Sequence, residues 1–77
     1  MSLTPLQQSI LLTLTTEWQT PAQIAGQLTE AADLSDVNHS LKDLIREGLV
    51  QANPVVLGLY RLSTLGTQKT KDMGENQ

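Results

Sequence analysis

A chain of 77 residues holds one small domain, burying only about 60% of its unfolded surface, and leaves no room for a catalytic domain beside a binding one. It contains no cysteine and one histidine, His39, which excludes disulfides, thiolate metal sites and a cysteine nucleophile and leaves zinc ligation unexpected. The net charge of −3 and pI near 4.7 exclude a basic, histone-like nucleic-acid coat.

Thr4-Pro5-Leu6-Gln7 is a helix start: Thr4 caps, Pro5 suits the first helical position, and Gln7 can complete a capping box. Leu6, Ile10, Leu11 and Leu14 follow at helical spacing, which predicts a first helix over 5–15, ending in the Thr13, Thr15, Thr16 cluster. Leu12 lies off that stripe and either packs on a later segment or meets a partner. The signal returns at Thr20-Pro21-Ala22-Gln23, predicting a second helix over 21–29 with Ile24, Ala25 and Leu28 on one face. Glu17-Trp18-Gln19 between them reads as an extended link, with Trp18 at least half-buried, as large aromatics usually are. Thr29 to Asp33 either extends the second helix by a turn or forms the loop after it.

Leu34, Val37, Leu41, Leu44 and Ile45 recur at intervals of three and four and predict a third helix over 35–47. Asp33 or Ser35 caps it, Asp36 and Arg46 suit its two ends, and Gly48 suits a left-handed stop. After Gly48 the period changes. Strands are expected near 49–53 and 59–63, with breaks at Asn53-Pro54 and Gly58, as an antiparallel hairpin. Leu59 and Arg61 fall on one face of the second strand, Tyr60 and Leu62 on the other. From Leu65 onward almost nothing is apolar, so a fraying helical turn and then a disordered tail over 67–77 are expected. The expected fold is mainly α with a small β-hairpin, in one domain over 1–66.

Three helices followed by a hairpin is the order of a winged helix-turn-helix domain. The run from Leu34-Ser35 to Gly48-Leu49-Val50 resembles the small bacterial and phage MarR-like regulators, which place apolar residues eleven, seven and four positions before a glycine; Val37, Leu41, Leu44 and Gly48 fill those places. Tyr60-Arg61-Leu62-Ser63-Thr64-Leu65-Gly66 resembles the strand and turn that close the wing in the same families. The resemblance covers roughly residues 5–66. It implies double-stranded DNA as partner, with the third helix in the major groove and the wing against backbone. The positions it carries over are Ser35, Asp36, Asn38, His39, Lys42 and Asp43. Asn38 suits adenine, His39 or Lys42 suits guanine or phosphate, and Arg46 and Arg61 suit backbone phosphates.

The chain departs from that pattern in three places. The segment before the third helix is longer than the usual tight turn. That helix sets Asp36, Asp43 and Glu47 against Lys42 and Arg46. The wing tip reads Pro54-Val55-Val56-Leu57-Gly58, without the usual cation. Neighbours in an extended chain alternate sides, so at least one of Val55, Val56 and Leu57 should be exposed. This marks the tip as a candidate protein contact, for a second copy or another partner. In the other arrangement, Val55 and Leu57 fold under the hairpin and only Val56 stays outside.

Residues 1–40 contain no lysine or arginine, so any anion-binding surface must come from the second half or from backbone N–H groups. No nucleophile–base pair or glycine-rich phosphate loop is present, so neither catalysis nor a cofactor is expected. The acidic residues lack metal-loop spacing, so no metal is expected. No apolar run reaches bilayer length and no secretion signal is read, which points to a cytoplasmic protein that does not enter membranes. Two functions follow: a small DNA-binding transcriptional regulator, or an acidic winged-helix interaction module that does not bind DNA directly.

Overall fold

The computed structural model describes residues 3–29 and 31–75. It is mainly helical, with a two-stranded antiparallel hairpin: α1 (Pro5–Thr13), α2 (Pro21–Gln27), α3 (Leu34–Arg46), β1 (Val50–Ala52), β2 (Tyr60–Leu62) and α4 (Thr64–Glu75).

Both Thr-Pro-x-Gln starts form complete capping boxes. The Thr4 hydroxyl accepts from the Gln7 N–H at 3.1 Å, and the Gln7 side chain accepts from the Thr4 N–H at 3.0 Å. Thr20 and Gln23 repeat the exchange at 3.1 and 2.9 Å. Each box satisfies N–H groups that a helix start leaves without intrahelical partners. α3 differs: its N-cap is Asp33, whose side chain makes no capping hydrogen bond. Its other end is a Schellman stop. The Gly48 N–H donates to the Ile45 carbonyl and the Leu49 N–H to the Leu44 carbonyl, both at 2.9 Å, and Gly48 takes φ +81°, a conformation glycine adopts without steric cost.

One core serves all the elements. Ile10, Leu11 and Leu14 from the first helical segment, Ile24 from α2, and Val37, Leu41 and Leu44 from α3 are buried together with Leu49, Val50 and Leu62. Leu12, off the apolar stripe of α1, is exposed.

In the hairpin, Val50 pairs with Leu62, Gln51 with Arg61 and Ala52 with Tyr60. The far edge of β2 is covered by the segment between α1 and α2. Gln19 and Tyr60 exchange N–H···O bonds at 2.9 and 2.8 Å, and the Leu62 N–H donates to the Thr15 carbonyl at 2.9 Å. This pairing explains why α1 stops at Thr13 instead of 15: Leu14 is extended, at φ −67° and ψ 150°, and Thr15 is spent on the sheet edge. α2 ends at Gln27 instead of 29, with Leu28 extended, so Thr29 and Ala31–Asp33 are loop; Glu30 lies outside the described residues.

The expected disordered tail is corrected by α4, which runs from Thr64 to Glu75; residues 76 and 77 lie outside the described residues. Ser63 starts it. Its hydroxyl accepts from the Gly66 N–H at 2.9 Å and donates to the Gly48 carbonyl, tying the helix start to the end of α3. Gly66 lies inside α4, against the chain entering β1: an added Cβ would overlap the Leu49 carbonyl oxygen and sit 2.9 Å from its carbon. Met73 is partly buried against the core.

Candidate nucleic-acid interface

α3 divides cleanly into two faces. Val37, Ser40, Leu41 and Leu44 are buried. Ser35, Asn38, His39, Lys42 and Arg46 recur at helical spacing along the opposite side. Of these, Ser35, His39, Lys42 and Arg46 are exposed and Asn38 is half-buried. From Ser35 to Arg46 the stripe runs about 16 Å along the axis, at about 1.5 Å per residue.

The exposed surface of this helix and its C-cap carries three acids, Asp36, Asp43 and Glu47, against two bases, Lys42 and Arg46. Arg46 Nη1 lies 3.4 Å from Asp43 Oδ1, and this is the ion pair found among the described residues. Asp43 Oδ2 also accepts from Gln7 Nε2 at 3.3 Å, so Asp43 is held from α1 while it holds Arg46. Asp36 is exposed beside Ser35 in the first turn. Lys42 is exposed, and no ion pair involves it among the described residues.

Arg61 is placed differently from the other basic residues. It is half-buried on β2, and its guanidinium lies over the Trp18 ring, 4.3 Å from the centroid. Its Nε donates to Gln51 Oε1 at 3.0 Å, across the Gln51–Arg61 pair of the hairpin. Trp18 is half-buried, within the range its size predicts. A shallow groove of about 490 Å³ opens beside this stack, lined by Trp18, Ile45, Gln51, Ala52, Pro54 and Arg61. It joins the end of α3 to the hairpin. Sequence spacing did not reveal the stack, because the partners are 43 positions apart (61 − 18). The stack follows from the strand-like pairing of Gln19 with Tyr60, which puts the preceding Trp18 on the Arg61 side and which no local sequence signal announces.

The hairpin tip is exposed. Val55 is 85% exposed, Val56 53% and Leu57 91%. The arrangement in which Val55 and Leu57 fold beneath the hairpin is therefore excluded, and Val56 is the least exposed of the three. Asn53 builds the turn: its Oδ1 accepts from the N–H groups of Val55 at 2.8 Å and Val56 at 2.9 Å, and Gly58 closes it at φ +87°.

The structure thus brings Ser35, Asn38, His39, Lys42 and Arg46 onto one helix side. It puts Arg61 on the hairpin beside the end of that helix, and Val55, Val56 and Leu57 at the hairpin's far end. Among the described residues no group of acidic, histidine or cysteine side chains is arranged to hold a metal ion, and no helix is long and apolar enough to cross a membrane. No family model matches the chain, and no curated protein or solved structure gives a significant match.

Proposed function

We propose that this chain is a small winged-helix DNA-binding regulator of the MarR-like kind, acting in the cytoplasm, with α3 in the major groove and the hairpin as a wing on the backbone. The observation that carries this reading is the division of α3. One side is committed to the core, while a polar stripe from Ser35 to Arg46 runs along the other, with Ser35, His39, Lys42 and Arg46 exposed. Asn38 is assigned to a base edge, and His39 and Lys42 to guanine or phosphate. Ser35, Arg46 and Arg61 are assigned to the backbone. With five basic residues in the chain, one copy makes few phosphate contacts, so useful affinity comes from two copies on one duplex. No catalytic step belongs to this reading.

The test is fluorescence anisotropy of a labelled random-sequence duplex at low salt. Saturable binding that weakens steeply with added salt is expected. Its absence up to ~100 μM protein, the weak end of ordinary non-specific binding, would remove the regulator reading.

The hairpin tip favours a second reading, an interaction module that touches protein and not DNA. Val55, Val56 and Leu57 are consecutive in the chain and all exposed, and contiguous exposed apolar residues are more often contact surfaces than scattered ones. In the regulator reading the same tip meets a second copy. In the module reading it meets another protein, and the duplex experiment fails while the fold stays intact.

A further inference from the structure

We infer that Trp18 and Gln51 form a cradle that presents the Arg61 guanidinium to a phosphate of the DNA backbone, with Trp18 acting as a positioning residue. The inference rests on the regulator reading and deepens it, because it names a phosphate anchor and what aims it.

An arginine side chain normally loses considerable rotamer freedom on binding an anion. Here much of that freedom is already gone. The Trp18 ring, 4.3 Å from the guanidinium carbon, covers one face of the planar cation, an arrangement favoured by the ring's negative π-face. Gln51 Oε1 fixes the Nε edge at 3.0 Å. The Nη1 and Nη2 edge, with four N–H donors, has no hydrogen-bond or ion-pair partner among the described residues. Arg46, by contrast, has a carboxylate beside it, Asp43 at 3.4 Å in an exposed pair. Arg61 is therefore a half-buried cation without a carboxylate partner among the described residues, contacted on two sides and open on the third. That open edge matches the two-oxygen geometry of a phosphate.

The neighbourhood supports a backbone contact. The groove beside the stack runs between Ile45, at the end of α3, and Pro54, at the hairpin turn. A phosphate there would lie between the helix assigned to the groove and the wing assigned to the backbone. On a second side, Arg61 and Gln51 line an open depression of about 280 Å³ with Thr16, Leu62, Ser63, Thr64 and Thr67. No carboxylate lines either space.

Trp18 is the chain's one tryptophan, so its emission reports directly on the cradle. The experiment follows Trp18 fluorescence of the full chain during titration with a random-sequence duplex and, separately, with inorganic phosphate, while labelled-duplex anisotropy is read on the same samples. The expected result is a Trp18 change that saturates with duplex together with the anisotropy, and needs far higher phosphate concentrations. Arg61→Gln should weaken duplex binding about ten-fold for all sequences and reduce the salt slope by about one contact. Trp18→Leu should weaken binding several-fold, and Trp18→Phe, which restores a ring, should recover most of it; a folded-state melting curve for each variant checks that the chain is intact. Gln51→Leu provides a second route to the same loosening if Trp18→Leu fails to fold.

The outcomes separate the two readings. Duplex binding that neither changes Trp18 emission nor responds to Arg61→Gln overturns the inference and leaves the regulator standing. A response to phosphate without duplex binding identifies a site for free phosphate, and overturns both the DNA anchor and the regulator. If Trp18→Leu and Trp18→Phe lower stability while duplex affinity and salt slope stay at wild-type values, the stack is a structural strap and the inference fails.

Discussion

Leu41 sits on the buried side of α3, without exposed surface, in a core shared with α1, α2 and the hairpin. Truncating such a side chain removes its transfer energy and leaves a cavity that a tightly packed core fills only in part. Leu41→Ala should therefore cost ~2–5 kcal/mol in urea or guanidinium unfolding; a loss below ~1 kcal/mol would place the residue outside the core. Two glycines allow a sharper test because they sit in helices with opposite surroundings. An added Cβ at Gly66 runs into the Leu49 carbonyl, whereas one at Gly26 meets nothing within 4 Å. Gly66→Ala should thus destabilise by roughly 1–3 kcal/mol or more, as overpacking does. Gly26→Ala should instead stabilise by up to about 0.5–1 kcal/mol, the helix penalty of glycine relative to alanine. Thermal melts of the two variants check the sign of each.

At the scale of elements, the two sides of α3 predict two kinds of mutant. Asn38 carries no charge and is assigned to a base, so Asn38→Ala should reduce discrimination between duplexes while leaving the salt slope alone. Lys42→Gln should weaken all duplexes alike and lower the slope by about one contact. Competition anisotropy against two or three unrelated duplexes distinguishes the patterns; equal behaviour of the two variants would contradict the assignment.

The same helix shows what the sequence made legible. Its apolar period of three and four, the paired Thr-Pro-x-Gln starts and the stop at Gly48 are local signals, and each led to the element found. α4 was not legible because little holds it that local sequence records. Its large apolar residues are Leu65 and Met73, and its anchors are the Ser63 bonds to Gly48 and Gly66 and the close approach of Gly66 to Leu49. The Ser63–Gly66 bond is a local cap, but the other two contacts join segments 15 and 17 positions apart, and a polar, glycine-containing run gives no periodic hint of them. The candidate site divides along the same line: the helical stripe from Ser35 to Arg46 follows from spacing, while the Trp18–Arg61 stack exists only because Gln19 pairs with Tyr60.

At the scale of the whole molecule, an acidic chain with extents of 34 × 27 × 21 Å has few positive groups to spend on DNA. It also carries its most exposed apolar residues at one extremity, the hairpin tip. If that tip meets a second copy, Val56→Ser combined with Leu57→Ser should leave stability within about 0.5 kcal/mol of the parent, as surface changes usually do. It should also shift sedimentation toward monomer and weaken duplex binding. Unchanged sedimentation and binding would contradict a role for the tip.

The central claim is that the polar side of α3 faces DNA, and amide chemical-shift mapping of the labelled chain during duplex titration tests it most directly. The account predicts that the largest shifts fall on Ser35, Asn38, His39, Lys42 and Arg46, with a second group around Gln51 and Arg61, and little change in α2. Shifts confined to Val55–Leu57, or no shifts at all under low-salt conditions, would contradict it.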